Sequence, residues 1–325
     1  MSILTREQWL EKRKSHVTAT DIGAIVGLNP WKSKLSVWLE KTGRSEPVVE
    51  TLPMRLGKML QPVVLDLYDS ETGLVTRRCG DTELIVCEDF PLAAATPDAE
   101  VVGERVVEAK TASGRGVSRW GEPGTVDAVP DYYALQVYWQ AMVMKSDVAD
   151  LAALLSGNEF RIYEMVRGRN LDLEAQLREA ALQFWTDYVL TDTMPPIDAS
   201  SEAAAFLARQ FPKENKGVML PASAEAEQIR AELRRANEML DVSEVQVELA
   251  KNQLKEIIGE AEGLEFSDGK RARWAKTKDG TKTDWEKVAR HAARPLPKDQ
   301  FESLVKHYSV DVPGIRKFYK PKEEK

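Results

Sequence analysis

Apolar residues recur every three or four places along some stretches of this chain and every second place along others, so it reads as helices leading into a run of short strands. Thr5 followed by Gln8 is a capping box for a first helix over residues 5–14, with Trp9 and Leu10 turned inward. One of Thr18, Thr20 and Asp21 caps a second helix, which Gly27 ends; a helix start of this kind also presents free N–H groups to an anion. Helices at 33–42 and 52–72 stop at Gly43 and Gly73, and Leu56, Leu60, Val63, Val64 and Leu67 mark the apolar stripe of the longer one. Strands follow at 74–78, 84–87, 92–98 and 106–111. Helical spacing returns over 131–144, residues 149–155 and 159–166 form a hairpin around Ser156-Gly157-Asn158, and a helix over 171–190 closes the unit before Met194-Pro195-Pro196. The fold class is α/β (α+β), a mixed central sheet flanked by helices.

Beyond that boundary the pattern changes. Residues 222–262 contain no proline and no glycine before Gly259, and Ile229, Leu233, Leu240, Val247, Leu254 and Ile258 fall at steps of four or seven. They make a long helix or a helical hairpin with its break near Asp241-Val242-Ser243. Residues 264–276 read as a β-hairpin on a type I′ turn at Asp268-Gly269, with Arg271 and Arg273 sharing one face. That face is either a DNA contact or a sheet edge protected by charge. Short helices at 284–293 and 297–308 precede a disordered tail, 317–325. The expected domains are therefore 1–195, 196–263 and a basic extension, 264–325.

Chemistry enters where Thr96-Pro97-Asp98 is followed by Val106-Val107-Glu108-Ala109-Lys110. Period-2 alternation sets Glu108 and Lys110 on one face of a strand and Val107 and Ala109 on the other. A turn near Gly103 folds residues 93–98 back on 106–110, which brings the Asp98 and Glu108 carboxylates to one hard cation. Mg²⁺, or Mn²⁺ in its place, suits such a site because it takes oxygen ligands and leaves room for a phosphate. Lys110 then supplies fixed positive charge where a phosphoryl transition state gains negative charge. The bland alternative is an exposed Glu108–Lys110 pair on an edge strand; the apolar run before Asp98 speaks against it.

Further features lie in a fixed order around this motif: Arg13 ahead of Val17-Thr18-Ala19-Thr20-Asp21, then Gly57 to Pro62, Trp120-Gly121, Pro130 and Tyr133 to Gln136. Together they resemble the YqaJ-type viral recombinase nucleases, the lambda exonuclease-like family of the PD-(D/E)xK superfamily. The resemblance covers about the first 190 residues. It implies a restriction-endonuclease-like core in which Asp98, Glu108 and the Ala109 carbonyl bind the metal and Lys110 orients the attacking water. Gln136 would contact that water or the lysine, while Gln140 remains part of a polar stripe on the same helix. Arg13 and Thr20 would hold the 5′-phosphate of a DNA end, a role that suits a planar guanidinium. Gln61 stands where the family has a glutamate, so a second cation loses its charged ligand. Arg115 and Arg119, in the loop after Lys110, are either DNA contacts or loop solubilisers.

The activity so implied is 5′→3′ digestion of double-stranded DNA ends in phage or prophage recombination, exposing a 3′ strand for a single-strand annealing partner. The resemblance adds a ring-shaped homotrimer. A structure-specific or nicking endonuclease, or a non-catalytic DNA-binding scaffold with a decayed site, are the alternatives. Charge refines the picture: residues 270–325 carry 16 Lys and Arg against 8 Asp and Glu, a net of +8, so residues 1–269 hold −15 of an overall −7. DNA contact should thus be confined to a cleft or to the basic end. Cys79 and Cys87 lie on successive strands without Cys-x-x-Cys spacing, and three scattered histidines give no zinc set. Without a signal sequence or a membrane-length apolar run, a cytoplasmic location is expected.

Overall fold

The computed structural model describes residues 4–309 except 48–49, 126, 170, 268, 277–283, 286–288, 290–291 and 293–295. The chain divides into two compact units, Met1–Phe211 and Pro212–Lys325. The division falls later than the Met194-Pro195-Pro196 boundary because helix Ser201–Gln210 belongs to the first unit, where it buries Ala203 in the main core.

The first unit opens with α1 (Arg6–Lys14), β1 (Val17–Thr18), α2 (Ala19–Ile25), α3 (Lys34–Lys41) and α4 (Leu52–Thr72). Thr5 and Gln8 form the expected capping box, and Trp9 is buried, but Leu10 is exposed. Thr18 is the N-cap of α2, with Asp21 completing a capping box. Gly73 ends α4 at φ 70°, a left-handed turn that glycine takes without steric cost. The buried face of α4 is Val64, Leu65 and Tyr68, rotated from the expected stripe; Leu56 and Val63 are exposed. Strands β2 (Arg77–Arg78), β3 (Ile85–Val86), β4 (Ala93–Ala95), β5 (Ala99–Val101) and β6 (Arg105–Ala112) follow, then α5 (Asp131–Met144), β7 (Val148–Leu155), β8 (Glu159–Val166) and α6 (Leu171–Phe184). A π-helical turn, Trp185–Val189, continues α6.

The strands form two sheets. One runs β1-β4-β3, with β1 parallel and β3 antiparallel to β4. The other is a mixed sheet, β2-β5-β6-β7-β8, in which only β6 and β7 are parallel, joined by the crossover through α5. Residues 92–98, read from sequence as one strand packed on β6, do not pair with it: β4 belongs to the first sheet, the following residues 99–101 (β5) pair with β6, and Asp98 lies at the crossing between the two. The break follows from Pro97, which has no N–H to donate to a ladder.

Central strand β6 is covered on both faces. Val106 packs with Val137 and Ala141 of α5, and Val107 with Val64, Leu65 and Tyr68 of α4. Helix α5 is apolar nearly all round because it separates two cores: Leu135, Trp139 and Met142 face the first sheet, and Val137 and Ala141 the second. The Trp139 indole N–H donates to the Ala94 carbonyl, 3.3 Å away. On the opposite face, the Tyr68 hydroxyl donates to Asp150 of β7 at 2.5 Å, and Arg105 reaches the same Asp150 oxygen at 2.8 Å.

In the second unit α8 (Ala224–Ile258; α7 is Ser201–Gln210) is a single 35-residue helix without the break allowed for at Asp241. Strands β9 (Gly263–Glu265) and β10 (Arg271–Arg273) form the expected antiparallel hairpin. Its turn differs: Phe266 accepts from the Gly269 N–H and donates to Lys270, so three residues span it, with Gly269 at φ 76°. The second of the two short C-terminal helices is α9 (Lys298–His307). Most of the first, and the tail 317–325, lie outside the described residues.

Asp150 ties α4 to the sheet. Replacing it by Ala strands Arg105 and Tyr68 beside a buried hole and should destabilise the fold by about 3–5 kcal/mol, against about 1–2 kcal/mol for Tyr68→Phe, which loses one hydrogen bond. Equal losses in chemical denaturation of the two variants would argue against that role.

Candidate active site

Asp98 and Glu108 meet because of the β5–β6 hairpin. Gly103 turns it at φ 78°, and the register Ala99↔Val107 sets Asp98 across from Glu108, one step beyond the last ladder pair. Asp98 Oδ2 accepts from the Ala109 N–H at 2.8 Å, and Oδ1 from Gln61 Nε2 of α4 at 3.0 Å. Glu108, only 3% exposed, points to α5, where Gln136 Nε2 donates to Oε1 at 2.5 Å and Gln140 Nε2 to Oε2 at 2.8 Å. Lys110 pairs with the same Oε1. Five side chains from three elements and the β4–β5 link thus converge, Asp98, Gln61, Glu108, Gln136 and Lys110, and Gln140 makes a sixth. Gln136 binds the carboxylate rather than the lysine.

Burial, and then the charge of Glu108, push the Asp98 carboxyl up to about 7, against the pull of Lys110 and the Ala109 N–H. Lys110 moves the other way from what its burial alone would do: Glu108 and Asp98 together hold its pKa above the ordinary lysine value, so it is an ammonium. Two carboxylates therefore share one cation. The deficit in positive charge, and a donor set made only of hard oxygens, fit a divalent metal such as Mg²⁺. Ala109 lies past the end of β5, and since the N–H and C=O of a strand residue lean to the same edge, its carbonyl faces the side on which Asp98 lies. Among the described residues no group of three or more Asp, Glu, His or Cys gathers, so any cation here would complete its shell with carbonyl, water or substrate oxygens.

Arg13 and Thr20 also come together. The Arg13 guanidinium donates to Thr18 Oγ1 at 3.2 Å and Thr20 Oγ1 at 3.3 Å, lies 4.5 Å over the Trp9 ring, and stands 3.7 Å from Glu40. Behind them lies an acid–base cluster that the sequence reading missed. Fully buried Asp21 pairs with Lys32 at 2.7 Å and Lys41 at 2.6 Å. Burial alone would raise its pKa, but Lys32, Lys41 and Arg13 hold it well below the usual carboxylate range. Three cations here face two carboxylates, Asp21 and Glu40, which leaves one positive charge beside the Thr20 hydroxyl.

The remaining candidates do not join either group. Arg119 is exposed on the 3₁₀ turn Gly114–Arg119, and the Arg115 side chain lies outside the described residues. In the second unit Arg271 pairs with Glu265 at 2.8 Å, and Arg273 pairs with Glu262, so the basic face of the hairpin is largely neutralised. Gln140 was legible only as the i+4 partner of Gln136.

The raised Asp98 pKa has a thermodynamic sign. A carboxyl that binds its proton more tightly when folded than when unfolded contributes stability at low pH, and that contribution is lost as pH rises from the ordinary carboxylate range through about 7. Asp98→Asn should therefore stabilise the metal-free protein at about pH 8 by on the order of 2 kcal/mol while changing little near pH 5. Mg²⁺ should raise the melting temperature of the unsubstituted protein and not of the variant. A variant no more stable at about pH 8 than at pH 5, relative to the unsubstituted protein, would count against two carboxylates sharing this spot.

Comparison with known proteins agrees with the motif order. The chain is 29% identical over 268 residues to the uncharacterized protein YqaJ of Bacillus subtilis (strain 168), covering 80% of this chain and 81% of that protein. Among solved structures, the alkaline exonuclease of Laribacter hongkongensis aligns with 63% of this chain and 97% of its own, at 16% identity and TM-score 0.44. A phage related exonuclease of Haemophilus somnus 129PT aligns with 54% of this chain and 96% of its own, at 12% identity and TM-score 0.41. The family model of the YqaJ-like viral recombinase domain matches residues 8–149, a span that holds Arg13, Thr20, Gln61, Asp98, Glu108, Lys110, Gln136 and Gln140. Residues 8–149 thus carry the sequence pattern of the YqaJ-like viral recombinase domain.

Proposed function

We propose that this chain is a Mg²⁺-dependent deoxyribonuclease, specifically a 5′→3′ exonuclease of double-stranded DNA ends that leaves a 3′ single strand during phage or prophage recombination. The observation that carries this is the convergence of Asp98, Glu108 and Lys110, with Gln61, Gln136 and Gln140 holding the two carboxylates in place. Asp98, Glu108 and the Ala109 carbonyl would hold the cation. A bound Mg²⁺ supplies Lewis-acid charge to the scissile phosphate and acidifies a coordinated water.

The protein's own groups do the rest. Lys110 is an ammonium pinned to Glu108, so it is a hydrogen-bond donor and not a general base; it orients the attacking water and offsets charge developing on the phosphate oxygens. Gln136 and Gln140 fix Glu108 from a buried helix, so the carboxylate does not reorganise during the step. Gln61 is a neutral donor to Asp98 and brings no charge to a second cation, which favours a one-cation site. Arg13 and Thr20 take the 5′-phosphate and so set the polarity. A closed ring of three copies would keep the enzyme on its substrate, and the exposed 3′ strand is the form that a single-strand annealing protein binds.

Linear duplex with a 5′-phosphate should lose its 5′-label as mononucleotides in Mg²⁺, with a one-site dependence on metal, while covalently closed circles stay intact. Lys110→Ala should lower the rate by about 10²–10³-fold in a folded protein. Arg13→Ala should cancel the advantage of a 5′-phosphorylated end. Rapid cutting of closed circles would move the assignment to an endonuclease, and absence of turnover on every substrate would leave a DNA-binding scaffold. Because Arg271 and Arg273 are already paired, replacing both by Ala should leave the salt dependence of DNA binding unchanged. A slope lower by about one per arginine would show that they reach phosphates.

A further inference from the structure

Trp9, Trp38, Trp120 and Trp139 are all buried, whereas Trp31 is 62% exposed and is held there by contacts on its backbone and one ring edge. The chain leaves α2 at Gly27, φ 79°, and the Asn29 side chain then accepts from the N–H groups of Trp31 at 2.9 Å and Lys32 at 3.1 Å. The indole meets Tyr132 of α5 edge to face, centroids 4.7 Å apart at 78°. Tyr132 in turn lies 4.4 Å from Tyr133, and Lys110 sits 5.2 Å from the Tyr133 ring. Next in sequence to Trp31, Lys32 is bonded to Asp21 behind the Arg13–Thr20 pair. A cleft of about 590 Å³, lined by Asn29, Trp31, Lys32, Ser33 and Ser200 among others, opens beside the indole.

An exposed indole fixed by its backbone and braced along one edge has already lost its conformational freedom and offers a flat apolar surface. It is connected on one side to the lysine of the active site and on the other to the cationic Arg13 cluster. A ligand reaching both would carry negative charge, and one that covers the indole an apolar or planar face. A nucleotide at a strand end meets both demands, and stacking would accept any base. We infer that Trp31 is a base-stacking residue of this enzyme, taking one unpaired base of the entering strand. This rests on the nuclease assignment above.

The test is a cycle between protein and DNA. Duplexes with a 5′-phosphate carry an abasic residue at the first, second or third nucleotide of the 5′-ended strand, and kcat/KM and Kd are measured with the full-length protein and with Trp31→Ala and Trp31→Phe. Kd is read by anisotropy in Ca²⁺ without Mg²⁺. At one position the abasic residue should weaken the unsubstituted protein roughly 5- to 100-fold, the range of one base on one aromatic ring. The same DNA should cost Trp31→Ala nothing further, and Trp31→Phe should retain most of the effect. The kinetic loss should appear mainly in KM, and an end already unpaired should narrow the difference between proteins. If abasic DNA weakens Trp31→Ala as much as the unsubstituted protein at every position, the inference is wrong. If no DNA is cleaved, the nuclease assignment falls while the Kd cycle still decides whether Trp31 stacks.

Discussion

The buried Glu108 carboxylate and its three donors are the constraint around which the first unit is arranged. A carboxylate this far from water is tolerable only if both oxygens are hydrogen-bonded and the charge is offset. Lys110 offsets it from the same strand, and Gln136 and Gln140 satisfy it from α5. Those glutamines sit on a helix that is otherwise apolar on nearly every side, where an amide is itself costly unless bonded. Carboxylate and amides therefore justify each other, and together they fix the rotation of α5. That rotation in turn sends Trp139 to one sheet and Val137 with Ala141 to the other.

Asp98 is placed by a different logic. It lies where the chain leaves one sheet and enters the next, and its two oxygens are held by a backbone N–H of β6 and an amide from α4. The site is thus clamped from both faces of the central sheet, Glu108 through α5 and Asp98 through α4. Movement of either helix would separate the carboxylates, which connects the Tyr68–Asp150 bond, on the α4 face, to the geometry of the site.

The helices at 52–72 and 131–144 and the β7–β8 hairpin were legible from periodicity and punctuation alone, because their glycine and turn signals are local. The pairing of Asp98 with Glu108 was legible too, since a hairpin at Gly103 leaves few registers. What periodicity could not show was tertiary. Leu10 and Leu56 lie on faces that read as apolar but that no neighbouring element covers. That 93–95 joins the other sheet while 99–101 pairs with β6 depends on packing distant in sequence, and the Asp21–Lys32–Lys41 cluster joins residues from separate helices and a loop. Gln140 looked like surface polarity because its partner is a buried charge on a strand 32 residues away.

On the proposed assignment, an acidic chain that binds DNA is reconciled at this scale. Screening limits an exposed charge to about 8 Å, so the −15 carried by residues 1–269 acts on DNA mainly through groups near the cleft. There Lys110 is paired with Glu108, and Lys32, Lys41 and Arg13 share Asp21 and Glu40, which leaves one positive charge at the Arg13–Thr20 end and none at the reaction centre. Above pH 7 Asp98 and Glu108 outnumber Lys110, and the reaction centre repels a phosphate. On the proposed assignment one divalent cation reverses that balance from one negative charge to one positive. The metal would then be the condition for DNA to enter the site as well as for its cleavage, and an acidic surface costs the enzyme nothing that the cation does not restore where it matters.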